Sequence, residues 1–176
     1  LLAACHGGLT MPLTTPEILA LRQQIDAFNA DYAAVLDDRR FAEWPELFLA
    51  DARYRVQGRE NFDRGLPLCL IHLESQAMMR DRVVGATTTI YHAPYYTRHV
   101  VGGARITHAG AGTPDDPVRA EASYAVFRTR PGSTSEVFQV GRYIDAFVHT
   151  PEGLRLQDRR CVYDSEMVLN SLIYPV

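Results

Sequence analysis

A chain of 176 residues, 47% hydrophobic and 22% charged, has room for one domain with its own core and no need of covalent staples. Its net charge of −3 offers no basic excess to neutralise phosphates, which argues against a nucleic-acid or acidic-membrane partner, and no apolar run reaches the ~20 residues of a transmembrane helix. All 18 basic residues are arginine, whose planar fork suits bidentate and stacked contacts at interfaces better than an ammonium does.

Residues 1–14 are expected to form a flexible leader and 15–176 a single domain. "LLAAC" resembles the end of a lipoprotein signal, but the charged and long apolar regions that should precede it are missing, and Met11 looks like the natural start. Thr15-Pro16-Glu17 predicts a helix opening, with a capping hydroxyl, an early proline and a first-turn acid. Ile18, Leu21, Ile25, Phe28, Tyr32 and Val35 then follow at helical spacing, giving one apolar face about five turns long. Asp37-Asp38 ends that helix and predicts a second, shorter one carrying Phe41, Trp44, Leu47 and Phe48, with Pro45 near its start.

"ARYRVQ" (52–57) alternates as a half-buried strand, and "LPLCLIHL" (66–73) is an apolar run of strand length. "ESQAMMRDRVVGA" (74–86) predicts a helix. From there "PYYTRHVVGGARITH", "VRAEASYAVFRTR", "SEVFQVGRYIDAFVHT" and "LRLQDRRCVYDSEMV" are long, β-branched and aromatic, separated by the turn clusters "AGAGTPDDP", "PGST" and "PEG". The glycine pair of "VVGGAR" predicts a bulge or sharp bend. Phe138, Val140, Ile144 and Val148 share one strand face, with Gln139, Gly141, Tyr143 and Asp145 on the other. Helices first and hairpin-linked strands afterwards predict an α+β fold, a strongly curved antiparallel sheet wrapped around N-terminal helices.

Chemistry-bearing residues are sparse. In "YHAPYYTRH" (91–99), His92 and His99 are an odd number of residues apart and fall on opposite faces of an extended strand, and Pro94 leaves His92 in the loop before it. Tyr95, Thr97 and His99 then share one face, with Tyr96, Arg98 and Val100 on the other. That geometry disfavours a metal pair. Cys69-x-x-His72 has the spacing of half a Rieske site, but no second half exists, and Cys5, Cys69 and Cys161 are the scattered, odd-numbered thiols of a reduced, cytoplasmic chain. No G-x-S-x-G, H-E-x-x-H, P-loop or G-x-G-x-x-G occurs. One acid–base reading survives: Tyr32, His99 and Asp51 facing a cavity inside the curled sheet, set against the plainer reading of Tyr32 as core with a satisfied hydroxyl.

The stretches "FAEWPELFLADARYRV", "RDRVVG", "YTRHVVGGARI" and "LRLQDRRCVYDSEMVLNSLIYPV" resemble the small (beta) subunits of aromatic-ring-hydroxylating dioxygenases, with the closing "YDS…NSLIYP" and the "TRH" strand as the most specific parts. The resemblance spans residues 15–176. It implies the cone fold shared with nuclear transport factor 2, ketosteroid isomerase and the polyketide cyclases. It also implies a chain without metal or cofactor of its own, in a hexamer of three large and three small subunits, itself forming a trimer. The partner alpha subunit would carry the Rieske [2Fe-2S] cluster and a mononuclear Fe(II).

"ENFDRGLPLCL" and "DRVVGATTTIYHAPYYTRH" are most similar to subfamilies acting on benzoates such as salicylate, anthranilate or terephthalate. On this reading Tyr96, Arg98 and His99, then Arg159, Arg160, Leu172 and Tyr174, are candidates for subunit contacts. For the tail, packing over the chain's own sheet is an equal alternative. Competing functions are a free-standing isomerase or dehydratase built on Tyr32, His99 and an acid, and a small-molecule binding protein.

Overall fold

A computed structural model describes residues 14–89, 92–167 and 172–176. The leader, apart from Thr14, lies outside these residues, as do Tyr91 of the histidine stretch and 168–171 of the closing motif. Helix α1 runs Thr15–Asp37, one residue out of step with the expected cap: Thr14 is the N-cap, and its N–H donates to the Glu17 carboxylate at 2.7 Å. Its buried face is Leu21, Ile25, Asn29, Tyr32, Ala33, Val35 and Leu36. The second helix shrinks to a single 3₁₀ turn, Trp44–Leu47, because Phe48 is already extended and opens strand β1, Phe48–Gly58.

Helix α2 (Arg59–Asp63), strand β2 (Ile71–Leu73) and helix α3 (Gln76–Val84) follow, the last continuing as a π turn to Thr89. The expected strand over 66–73 is thus mostly absent. β2 pairs Ile71 with Val56, and continuing that register would bring Cys69 to Gly58, where β1 gives way to α2. Pairing ends at Leu70, whose N–H donates to Val56 O at 2.8 Å, and Leu66, Leu68 and Leu70 are exposed.

Strands β3 (Tyr96–Val101), β4 (Arg105–His108), β5 (Val118–Thr129), β6 (Glu136–Thr150) and β7 (Gly153–Tyr163) complete a seven-stranded sheet. Its order is β2-β1-β7-β6-β5-β3, with β4 beside β3 on the same edge of β5. The break between β3 and β4 falls at Gly102-Gly103, as the glycine pair suggests, and Gly102 N–H donates to Ser123 O at 2.8 Å. One pairing departs from the antiparallel expectation. β1 and β7 run parallel, from Arg53↔Asp158 to Gly58↔Tyr163, a freedom open to strands that no hairpin connects.

Register shifts at Val126/Phe127 and Ala146/Phe147 bend the long strands so that the sheet curls over α1. At Gly141 the strands approach so closely that a Cβ would lie 2.1 Å from the Val162 carbonyl oxygen. Only glycine fits there. α1 also covers the sheet's free edge: its Asp37 and Asp26 carboxylates accept from the N–H groups of His99 (2.9 Å) and Ala104 (2.7 Å).

Candidate functional site

The inside of the cone is built by the strand faces that look polar in sequence. Asp145 and Arg159 are directly opposite each other on β6 and β7, both pointing at α1. Arg159 Nε donates to Asp145 Oδ1 at 3.0 Å, and Nη2 donates to Asp145 Oδ2 at 2.7 Å and to Asn29 Oδ1 at 2.6 Å. The guanidinium is sandwiched between the rings of Tyr32 and Tyr143, 4.1 and 4.2 Å from their centroids. Tyr143 in turn stacks on Tyr124 at 4.3 Å, whose hydroxyl donates to Gln139 Oε1 at 2.7 Å.

The last residues of the chain close this interior. Tyr32 and Tyr54 hydroxyls donate to the main-chain oxygen of Val176 at 2.9 and 3.0 Å, and Val176 N–H donates to the Tyr54 hydroxyl at 2.9 Å. Tyr32 also accepts from Trp44 Nε1 at 3.1 Å. Its hydroxyl is therefore used as both donor and acceptor. Burial pushes Tyr32, Tyr54, Tyr124 and Tyr143 above the usual phenol value, and the Cys161 thiol up to about 12, so all stay neutral near pH 7.

A second polar centre lies outside the interior, between α1 and β3. Asp37, 3% exposed, holds His99 by its backbone N–H and by Nδ1 at 2.6 Å, which fixes the proton on Nδ1 of a fully buried ring. Nε2 of His99 is buried with no hydrogen-bond partner among the described residues. Beside this pair runs a groove of about 390 Å³ lined by Asn29, Ala33, Arg98 and Gly103 among others. Burial alone would raise the Asp37 carboxyl. The hydrogen bonds from the His99 ring and backbone, with the charges of His99 and Arg98, outweigh it and hold the group below its ordinary value.

A lowered folded-state value means stabilisation that is complete above the unfolded carboxyl's pKa of about 4 and is lost as pH falls through the folded value. Asp37→Asn is thus expected to cost about 1–3 kcal/mol at neutral pH, with the gap to wild type closing below about pH 4. Urea midpoints across that range check it, and a gap that does not change with pH would contradict it.

The acid–base set read from sequence does not assemble. Tyr32 is core, His99 is tied to Asp37 at the sheet edge, and Asp51 is solvent-exposed on β1. The two histidines of the 91–99 stretch serve separate contacts, His92 Nε2 accepting from the Tyr174 hydroxyl at 3.0 Å. Of the contact candidates, Tyr96 is 61% exposed, the Arg98 side chain is 72% exposed, and Arg160 is part-exposed on the convex face. Arg159 and Tyr174 are buried within the chain, and Leu172 is half-buried with its carbonyl accepting from Arg82. Arg159 therefore binds its own chain's Asp145, and Tyr174 its own chain's Phe41, Arg39 and His92.

Sequence reading passed over Asp37, taken only as a helix stop, and Asp145, although strand parity had already set it with Tyr143. Among the described residues no group of three or more His, Cys, Asp or Glu side chains is placed to hold a metal ion.

Comparison with known proteins agrees with this architecture. The model of the SnoaL-like domain family matches residues 17–160. The anthranilate 1,2-dioxygenase small subunit of Burkholderia cepacia is 36% identical over 145 residues, covering 82% of this chain and 88% of its own. The beta 2 subunit of the terminal oxygenase component of terephthalate 1,2-dioxygenase from Comamonas sp. is 32% identical over 158 residues, 87% of this chain and 97% of its own. A crystal structure from Novosphingobium aromaticivorans, assigned as the beta subunit of an aromatic-ring-hydroxylating dioxygenase, superposes with a TM-score of 0.80. It is 36% identical and covers 90% of this chain and 97% of that one. With its cone fold and near full-length similarity to these subunits, the chain belongs to the small (beta) subunit family of aromatic-ring-hydroxylating dioxygenases, built on a SnoaL-like domain.

Proposed function

We propose that this chain is the structural, non-catalytic beta subunit of a bacterial dioxygenase that attacks a carboxylated aromatic, working in the cytoplasm beside a large alpha subunit. The observation that carries the non-catalytic part is the interior of the cone. The space a free-standing cone enzyme would give to substrate is filled by Tyr32, Tyr54, Trp44, the Arg159–Asp145 pair and the chain's own Val176. The substrate class follows the relatives, one named for anthranilate and one for terephthalate, both aromatic carboxylates. In this reading the Rieske cluster and mononuclear iron sit in the large subunit and supply the redox chemistry. This chain supplies a stiff platform, with Tyr96, Arg98 and Arg160 as contacts, in a hexamer of three large and three small subunits.

Native mass spectrometry tests it, on the tagged chain recovered from its own host grown on an aromatic carboxylate. The expected result is equal numbers of this chain and a larger, iron-containing chain. A metal-free homo-oligomer that turns over substrate alone would overturn it.

A further inference from the structure

The apolar run 66–73 has the sequence of a strand buried on both faces, yet only Ile71 and Leu73 are buried. Leu66, Leu68 and Leu70 are 44%, 69% and 49% exposed within five residues of one another. Single exposed leucines are ordinary, but a run of them is a patch, and patches of this kind mark contact sites. Leu66 also forms part of the wall of a hollow of about 200 Å³ on the convex face, together with Arg55, Phe62, Cys69, His72 and Arg160.

That hollow is short of negative charge. Arg55 and Arg160 are direct cross-strand neighbours, and the nearby carboxylate of Asp158 is shared through Oδ2 by Arg55 and Arg53, with its Oδ1 unpartnered among the described residues, so that one acid faces three guanidinium groups. Arg160 and Arg142 each lie 5.4 Å from the centroid of the Phe62 ring, and neither makes an ion pair among the described residues. Burial, and then the neighbouring Arg55 charge, hold the Arg160 guanidinium below its ordinary value. In a chain of net charge −3, this is a local cationic excess next to an uncovered apolar ridge.

We propose that the Leu66–Leu68–Leu70 ridge and the arginine-lined hollow beside it form the seat of the large subunit, the hollow receiving an Asp or Glu side chain flanked by apolar residues of that subunit. The inference rests on the beta-subunit reading above. A protein fits better than a free acid, because a single-ring carboxylate filling the hollow leaves the ridge, Leu68 above all, uncovered. A two-fold contact between copies of this chain would set Arg160 and Arg55 against the same residues of the partner, and a three-fold contact between small subunits is the competing occupant that loss of self-association alone would reveal.

The test uses the complex recovered from its own host through a tag on this chain, with Leu68→Glu and Arg160→Glu, and with Val140→Glu on β6 as an exposed control. Both test variants are expected to recover about tenfold less large subunit, with the urea midpoint of the isolated chain unchanged and the Val140→Glu yield like wild type. Wild-type recovery by Leu68→Glu and Arg160→Glu would place the seat elsewhere and overturn the inference. So would full recovery of large subunit by Leu68→Glu with loss only of self-association, which would give the ridge to a second copy. Saturable benzoate binding by the isolated chain, abolished in an Arg160→Glu variant that still assembles, would reassign the hollow to a small acid. A wild-type chain that brings down no large subunit at all would instead sink the beta-subunit reading itself.

Discussion

Arg159→Met is expected to cost about 3–5 kcal/mol, a large part of the 5–15 kcal/mol that holds a typical domain together. The side chain is completely buried, doubly bonded to Asp145, bonded again to Asn29 and stacked between two tyrosine rings. Removing it strands a carboxylate in the middle of the cone. Burial already pushes the Asp145 carboxyl upward, against the opposing pull of Arg159, and without Arg159 that push is unopposed. A carboxyl whose folded value is raised favours folding at low pH and opposes it as pH climbs through that value. The variant's deficit should therefore be larger near pH 8 than near about pH 5.

Replacing both partners, Arg159→Met with Asp145→Leu, should recover most of the loss, because an apolar pair of similar volume carries no desolvation cost. Denaturant midpoints of the four chains at the two pH values decide it. A single-variant loss below about 1 kcal/mol would mean that the pair is not the strut described here.

Much of this architecture is legible from spacing alone. The apolar face of α1 from Leu21 onward (Ile18, expected on it, is 39% exposed), the glycine break between β3 and β4, and the parity that sets Tyr95 and His99 against Tyr96 and Arg98 all follow from periods of 3.6 and 2. These are local properties, and local residues decide them. What spacing does not carry is which side of a strand becomes the inside. Gln139, Tyr143 and Asp145 look like a solvent face, yet they line the interior, because Arg159 arrives from the neighbouring strand to neutralise the acid.

The same limit explains the catalytic set that failed to assemble. Tyr32 and His99 are both buried as expected, but their hydrogen-bond partners, Val176 and Asp37, are 144 and 62 residues away. The apolar run at 66–73 shows the opposite failure. Its composition promised a full strand, and the promise is broken where β1 turns into α2 and leaves the residues before Leu70 without a strand to pair with.

Deleting residues 173–176 is expected to destabilise the isolated chain by about 3–5 kcal/mol, the range of a large core truncation with loss of buried hydrogen bonds. Val176 is 1% exposed, and Tyr174 and Ile173 are also buried. Without them the Tyr54 hydroxyl loses both of its partners on Val176, and Tyr32 keeps only Trp44. Phe41 loses the ring stacked on it at 4.5 Å. Such a chain would also assemble poorly, but through its own fold, so poor assembly by itself would not make the tail a subunit contact.

Tyr174→Phe separates the two causes. It keeps the stack on Phe41 and removes only the hydroxyl that accepts from Arg39 and donates to His92, at an expected cost of about 1 kcal/mol and no change in large-subunit recovery. The informative comparison is therefore the urea midpoint of the isolated truncated chain against its yield of complex. A normal midpoint with lost assembly would move the tail from the core to the interface. A midpoint that falls with the yield keeps Val176 where the hydrogen bonds of Tyr32 and Tyr54 put it, as the plug that closes the cone.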